Sequence, residues 1–450
     1  MGRFSKRKGI LQMLPVPAEK FMPPPVRKTE ALPWLEEMPQ DNSAAWVKAL
    51  RETGADAFAS VGLPMRTLEG WQHTNLRPLS QRTFHYSSGP VTCDAQRIPE
   101  PLLKNTLRIV VVNGQFQPQL STLCPGLKVM SLMDAVEKKM EGLEQWLVSV
   151  GNLSKEPLKA LNTAYLRDGF VLDAEGDIAA PVEVIFYNTD NDNTSPAIYP
   201  RMLYRLGKNA RLTILEHHCG EGVYLANSVS EIVLEQDSRL KFYRVMQESM
   251  TAHHFSHAVV HQQKGSDFEG FSLALGGQVS RQEFQLELID PTISACINGI
   301  YMLKDKQNHD FTIQVDHFEP DGESKQYFKG VVDDQARAVF QGKIHVRRSA
   351  QKTNGYQSHH ALLLSREAEA SAKPELEIYA DDVKCSHGAT SGHLDPVALF
   401  YLQSRGIPLD QARGLLIESF LNEAVDKVTF LPVQDICREE ISKWLKERKA

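Results

Sequence analysis

The strongest restriction on this chain's fold is a stretch of about 200 residues, 181–392, that lacks any convincing helical pattern. Short runs rich in Val, Ile, Phe and Tyr alternate there with polar turns, among them Gly207-Lys-Asn209, Gln236-Asp-Ser238, Lys264-Gly-Ser266 and Pro320-Asp-Gly322. That is far longer than an ordinary sandwich, so a repeat is expected. One is visible. Ala210-Arg-Leu-Thr-Ile-Leu, Ser238-Arg-Leu-Lys-Phe-Tyr and Ser266-Asp-Phe-Glu-Gly-Phe begin 28 residues apart, each just after a turn. Evenly spaced short strands suit a β-solenoid, in which each coil stacks on its neighbours and open sheet edges survive only at the two ends. A large Greek-key sandwich is the alternative on periodicity alone.

The flanks read differently. Trp34-Leu35, Met38, Ala45-Trp46, Ala49-Leu50 and Phe58 recur at roughly helical intervals, and residues 131–166 repeat Leu, Val and Met at three to four. Leu-Arg-Ile-Val-Val-Val at 107–112 reads as a strand ended by Asn113-Gly114. After Gly392, Asp395 is a good N-cap with Pro396 at the first helical position. Three short helices follow, punctuated by Gly406, Pro408 and Pro432. The expected architecture is mainly β: a β-helix core at 181–390, a mostly helical domain at 31–180, a C-terminal helical domain at 391–450 and a basic, Pro-rich arm at 1–30. The C-terminal helices either dock a partner or cap the open end of the solenoid.

Bulk properties remove several function classes. A net charge of −6 and a pI near 6.2 argue against a nucleic-acid binder or a protein of anionic membrane surfaces. No apolar run is long enough to span a bilayer. Six irregularly spaced cysteines form no disulfide framework and point to a reduced, cytoplasmic compartment. The basic leader keeps organellar targeting as a minor alternative. There is no P-loop, nucleophile elbow or H-E-x-x-H helix, so no common catalytic motif marks the chain as an enzyme.

The chemistry that does stand out lies in Tyr379-Ala-Asp-Asp-Val-Lys-Cys-Ser-His-Gly-Ala-Thr-Ser-Gly392. On a strand, Cys385 and His387 project to the same side, and thiolate with imidazole suits iron or zinc. Two ligands complete neither a tetrahedral site nor a cluster. Any remaining ligands must come from elsewhere, and spacing alone leaves the pair open between a structural and a metal-binding role. The apolar alternation changes phase across Asp381-Asp382, which marks a corner. His253, His257 and His261 share one face, but on a strand i and i+4 stand ~13 Å apart, too far for one ion. His217-His218-Cys219 and His359-His360 place neighbours on opposite faces. Cys93, Cys124 and Cys437 read as isolated structural thiols, with Cys219 and Cys296 in strands and mostly core.

The Tyr379–Gly392 block and its continuation, Leu394-Asp-Pro-Val-Ala-Leu-Phe-Tyr-Leu-Gln-Ser-Arg-Gly-Ile-Pro408, resemble the SufB/SufD family of iron–sulfur cluster assembly proteins. So do Gly62-Leu-Pro-Met-Arg-Thr-Leu-Glu-Gly-Trp71, Tyr327-Phe-Lys-Gly-Val-Val332 and Thr353-Asn-Gly-Tyr-Gln357. Within the family the chain is most similar to SufD, because Gly388 stands where the SufB type has Glu. The resemblance implies a right-handed parallel β-helix between helical end domains and a non-enzymatic scaffold role. It implies pairing with a SufB-like paralogue and docking of a SufC-like ABC ATPase, which binds the ATP. A cysteine desulfurase acts upstream, and a homodimer is a further arrangement. By that resemblance Cys385 and His387 face the subunit interface as ligands of a transient iron–sulfur cluster shared with the partner. Asp395, Pro396, Leu399, Phe400, Leu415 and Phe420 lie on the implied ATPase dock. The reduced flavin associated with the family's complex has no assignable site. Two readings outside the family remain: a homodimeric metal-binding module, and a β-helix polysaccharide lyase or hydrolase, which would need paired carboxylates or a calcium cage.

Overall fold

The structure, a computed structural model, describes residues 44–448 apart from 81, 87, 88, 90, 92, 93, 149–152 and 191–193. The expectations for the basic arm, the helical pattern before residue 44 and Cys93 fall outside the described residues. The core is a β-solenoid whose chain alternates between two mainly parallel sheets, one of eleven strands and one of ten.

The 28-residue repeat is the rung. Arg211 pairs with Arg239 and Arg239 with Asp267 in the second sheet, so the three repeat units lie directly on one another. Beyond them Asp267 pairs with Ser294, Ser294 with Glu323, Glu323 with Asn354 and Asn354 with Lys384. The rung length drifts because corner loops absorb insertions while the strand register holds. One corner repeats a left-handed residue on each rung: Asn209, Asp237, Gly265, Thr292, Asp321 and Lys352 all have positive φ. Asn, Asp and Gly tolerate that conformation best, which is why turn signals recur in the sequence at the repeat spacing.

Inside the tube, Tyr204, Phe242 and Phe268 run in one aromatic file, and Tyr301, Phe311, Phe328 and Phe340 in another. The close approach at Gly330 is part of this packing: a Cβ there would fall 1.8 Å from the Tyr301 ring. The interior is not wholly apolar. Arg244 donates to Glu216 from Nε at 2.8 Å and to Ser256 from Nη1 at 3.0 Å, and the Tyr204 hydroxyl reaches Glu216 at 2.7 Å. Burial opposes ionisation of Glu216, but the Arg244 guanidinium and His218 hold its carboxyl down at about 2.

The sheets reach upstream of residue 181, through Leu107–Val112 and Gly169–Ala174, and the antiparallel strands Gln115–Phe116 and Leu127–Ser131 lie at that end. The helical pattern expected over 131–166 resolves into Leu132–Glu137, Leu143–Val148 and Pro157–Ala164. Positive φ at Lys139 and Gly142 and the proline at the start of the third helix break it. The Gly62–Trp71 motif clamps this region to the solenoid. Trp71 is buried under the Arg281 guanidinium, 4.0 Å from the ring centroid, and the Gly70 carbonyl accepts from Arg281 and Gln341, each at 2.8 Å.

The C-terminal helices are Pro396–Ser404, Leu409–Val425 and Leu431–Glu447. Gly406, with φ +86°, ends the first, and Pro432 opens the third. Ile417, Leu421, Ile441 and Trp444 pack on Tyr243, Phe271, Ile300 and Val331, the outward-facing side chains of the second sheet. The helices therefore lie along the flank. Among the described residues, no segment pairs with the outer edge of either final strand, Glu369–Ile378 or Lys384–Gly392.

Candidate functional site at the solenoid's open end

Residues 379–383 form the corner expected around Asp381-Asp382, between the last strand of each sheet. In Lys384–Gly392, Gly355 lies beside Cys385 and Gln357 beside His387. One rung further in, Ser324 pairs with Gly355 and Gln326 with Gln357. Ser324, Gln326, Gly355 and Gln357 are all buried, and they belong to the row that faces the interior of the tube. Cys385 and His387 continue that row onto the final rung. Their side chains have interior placement without interior burial, because the stack stops there.

The two differ in environment. Cys385 is half-buried against an apolar cluster of Ile344, Val346, Ala350 and Ala380, and His387 is exposed. Burial pushes the Cys385 thiol up from its ordinary value, partly offset by a hydrogen bond from the Gly355 backbone. The thiol is therefore protonated at neutral pH in the isolated chain, and a metal or an adjoining positive charge would be needed to make it a thiolate. Strand geometry puts the two Cα atoms about 6.8 Å apart, a span that one cluster can bridge but that two side chains cannot fill. Three large side chains ring the same end: Tyr356, Ile378 and Tyr379 are exposed, Tyr379 by 62%. In the sequence Tyr356 and Tyr379 stand out only as members of their motifs; their exposure at an open edge is what marks a surface suited to covering.

The candidate docking residues separate into two groups. Asp395 caps the first C-terminal helix, its Oδ1 accepting the Val397 N–H at 2.8 Å, and Pro396 opens that helix. Phe400 and Leu415 are exposed, together with the neighbouring Val397 and Tyr401, and Leu399 is half-buried. Phe420 instead turns toward the solenoid, where the Lys329 ammonium lies 4.2 Å from its ring centroid. Lys329 also pairs with Glu423 at 2.5 Å, and Lys427 lies 4.4 Å from the Tyr327 ring centroid. The Tyr327-Phe-Lys-Gly motif thus ties the flank helices to the tube.

His360 lies at this end too, its Nδ1 2.6 Å from Thr390 Oγ1 on the final strand, and the His345 ring meets Tyr379 edge-on at 5.7 Å; the histidines of 217–261 and the other described cysteines lie away from it. His253, His257 and His261 do sit on one strand; His257 meets Glu283 at 2.9 Å, and His261 lies between Glu287 at 2.8 Å and Glu231 at 3.6 Å. Cys219 and Cys437 are buried, and burial raises both thiols well above the ordinary range; Cys296 is pushed up to about 11.

Comparison with known proteins agrees with this architecture. Residues 186–420 match the SUF system FeS cluster assembly SufBD core domain, and residues 35–173 match the SufBD protein N-terminal region. An iron–sulfur cluster assembly SufBD family protein of Synechocystis is 32% identical over 411 residues, covering 87% of this chain and 90% of that protein. The iron–sulfur cluster assembly protein SufD of Escherichia coli is 29% identical, with 81% and 85% covered. The chloroplastic protein ABCI7 of Arabidopsis thaliana is 34% identical over 55% of this chain and 53% of its own length. A solenoid of this kind and two family models spanning most of the described residues lead to one conclusion: the chain belongs to the SufBD family of iron–sulfur cluster assembly proteins.

Proposed function

We propose that this chain is the supporting scaffold subunit of an ATP-driven iron–sulfur assembly complex. It pairs end-on with a SufB-like paralogue through the open rung and carries a SufC-like ATPase on its flank helices. The nascent cluster is cargo held between subunits, with Cys385 as a thiolate ligand and His387 as an iron ligand. The observation that carries this reading is the interior row running out onto an uncovered rung at Cys385 and His387. Ligands that are too few alone, on a surface ringed by exposed aromatics, are what half of a shared site offers. The exposed Val397, Phe400 and Leu415 support the dock, since apolar side chains of that size left exposed on two successive helices favour a covering partner. A cytoplasmic setting fits the unpaired cysteines, and no helix among the described residues is long and apolar enough to cross a membrane.

The test is Cys385→Ala in the complete complex. Co-purification with the SufB-like subunit and the ATPase should persist, while cluster delivery to an apo-ferredoxin should fall at least about tenfold, as expected for loss of a ligand. Normal delivery by that variant would remove Cys385 from the site.

A further inference from the structure

Well inside the tube a second group of ligand-type side chains converges. His218 comes from the strand Arg211–Glu221, His254 from His253–Gln262, and Glu248 from the corner just before the latter. One ligand atom from each lies within 4.8 Å of the other two, and all three residues are buried. Following the pairing from His218 through Met246, Ala274, Tyr301, Gly330 and Ala361 to Ser391 crosses six rungs. That places the group about 29 Å from the open end at the usual strand spacing, so it is separate from Cys385 and His387.

Its geometry is that of a held site. The His218 ring stacks on Phe186 with centroids 4.4 Å apart and planes 4° from parallel, and it meets His254 edge-on at 5.0 Å. His218 Nε2 lies 3.2 Å from Glu216, which Arg244 also binds. Donation of that N–H to a carboxylate fixes the tautomer and leaves Nδ1 with its lone pair, the arrangement that orients metal-bound imidazoles. His254 Nδ1 and Glu248 Oε1 are 2.9 Å apart, yet the other atoms of that pair, His254 Nε2 and Glu248 Oε2, have no partner in the protein. Among the described residues the only ion-pair partner of Glu248 is that same histidine. Two buried, unpartnered polar atoms on one such pair are a costly deficit, and a bound ion would relieve it by using the lone pairs of both residues.

We propose that His218, Glu248 and His254 form a buried site for one divalent transition-metal ion of the zinc or iron(II) class. Two imidazoles and a carboxylate are the donor set those ions favour. Bonds of about 2.1 Å place ligand atoms roughly 3.4 Å apart, so side-chain rotations on the order of 1 Å close the group around an ion. Binding would replace the hydrogen bond between His254 Nδ1 and Glu248 Oε1 with bonds to the ion. The site does not depend on the role proposed for the open end.

The test uses the full chain carrying Cys385→Ser, so that thiolate at the open end cannot contribute. Expressed in cobalt-supplemented medium and dialysed against a weak chelator, this protein should retain about one cobalt(II) per chain, with ligand-field bands and no thiolate charge-transfer band. Adding the isosteric Glu248→Gln should lower retention at least about tenfold, and His218→Gln serves as a second variant should that protein fail to fold. Retention below about 0.1 cobalt per chain before any change at the triad, or retention undiminished by either substitution, overturns the site.

Discussion

Truncating Phe400 separates a docking surface from a merely solvated helix face. Phe400 is 71% exposed, so its own chain draws little stability from it, and Phe400→Ala should change the unfolding free energy by less than about 1 kcal/mol. Fully burying a phenylalanine side chain is worth about 1.5–3 kcal/mol. With 71% of the residue still exposed, about 1–2 kcal/mol remains to be gained when a partner covers it. Loss of that gain raises Kd by roughly 5- to 30-fold. Calorimetric titration of the cognate ATPase into wild type and variant reads this directly. Phe420→Ala is the informative contrast: its ring packs under Lys329 on the solenoid side, so it should cost about 2 kcal/mol of stability, with binding lost only through misplacement of the helix. Deleting 391–450 outright would be uninformative, because it strips Ile417, Ile441 and Trp444 from the outer face of the second sheet. A Kd for Phe400→Ala within twofold of wild type, in a folded protein, refutes the dock.

Other outcomes follow from the buried charges. Arg244→Met leaves the Glu216 carboxylate inside the tube without its guanidinium and should cost about 3–5 kcal/mol. Combining it with Glu216→Gln should recover more than half, and a double variant no better than the single one would show that packing rather than charge sets the loss. Burial lowers His317 to about 4 and His359 to about 3, so both are neutral when folded, while the unfolded chain takes up protons below about pH 6.5. Stability present above pH 6.5 is therefore lost as pH falls toward 4, by up to about 1.4 kcal/mol per pH unit for each histidine. Glu216 and Glu283, both held at about 2 by neighbouring arginines, add to the loss only below about pH 4.5. His261 has the opposite sign: the carboxylates of Glu231 and Glu287 outweigh its burial and raise it to about 9, so its contribution is lost as pH rises through that value. Urea midpoints measured from pH 7.5 to 4.5 should start to fall near 6.5, and a flat profile down to pH 5 would refute the histidine account.

Much of the fold is legible in the sequence because a solenoid writes its period into its corners. Asn209, Asp237 and Gly265 each need a left-handed conformation, and their spacing is the rung itself. The period fades after the third unit because the corners vary in length while the pairing stays in register. The phase change at Asp381-Asp382 is legible for the same reason, since a corner interrupts strand alternation. The His218–Glu248–His254 group is not. Alternation correctly places His217 and His218 on opposite faces, but the convergence of His218 with His254 joins two sheets, and no local spacing records which residues meet across the tube. Phe420 is the converse case: it stands five residues from Leu415, about 140° round the helix, so helical spacing already separates the two, and Lys329 meets the Phe420 side.

The two outer edges at the open end are not equivalent, and the difference bears on how a partner would attach. The last strand of the first sheet reads Glu369-Ala-Ser-Ala-Lys-Pro-Glu-Leu-Glu-Ile378. Lys373, Glu375 and Glu377 charge it, and Pro374 brings no N–H to a ladder, the devices that blunt a free edge. The last strand of the second sheet, Lys384–Gly392, carries small and polar residues with neither proline nor carboxylate. Its backbone can therefore accept another strand where the neighbouring edge resists one. Cys385 and His387 lie on that unblunted strand, in the row that points into the tube. A strand added there would extend the interior by one rung and bring its own inward residues beside the thiol and the imidazole. The same pairing that hides the edge would complete the ligand set.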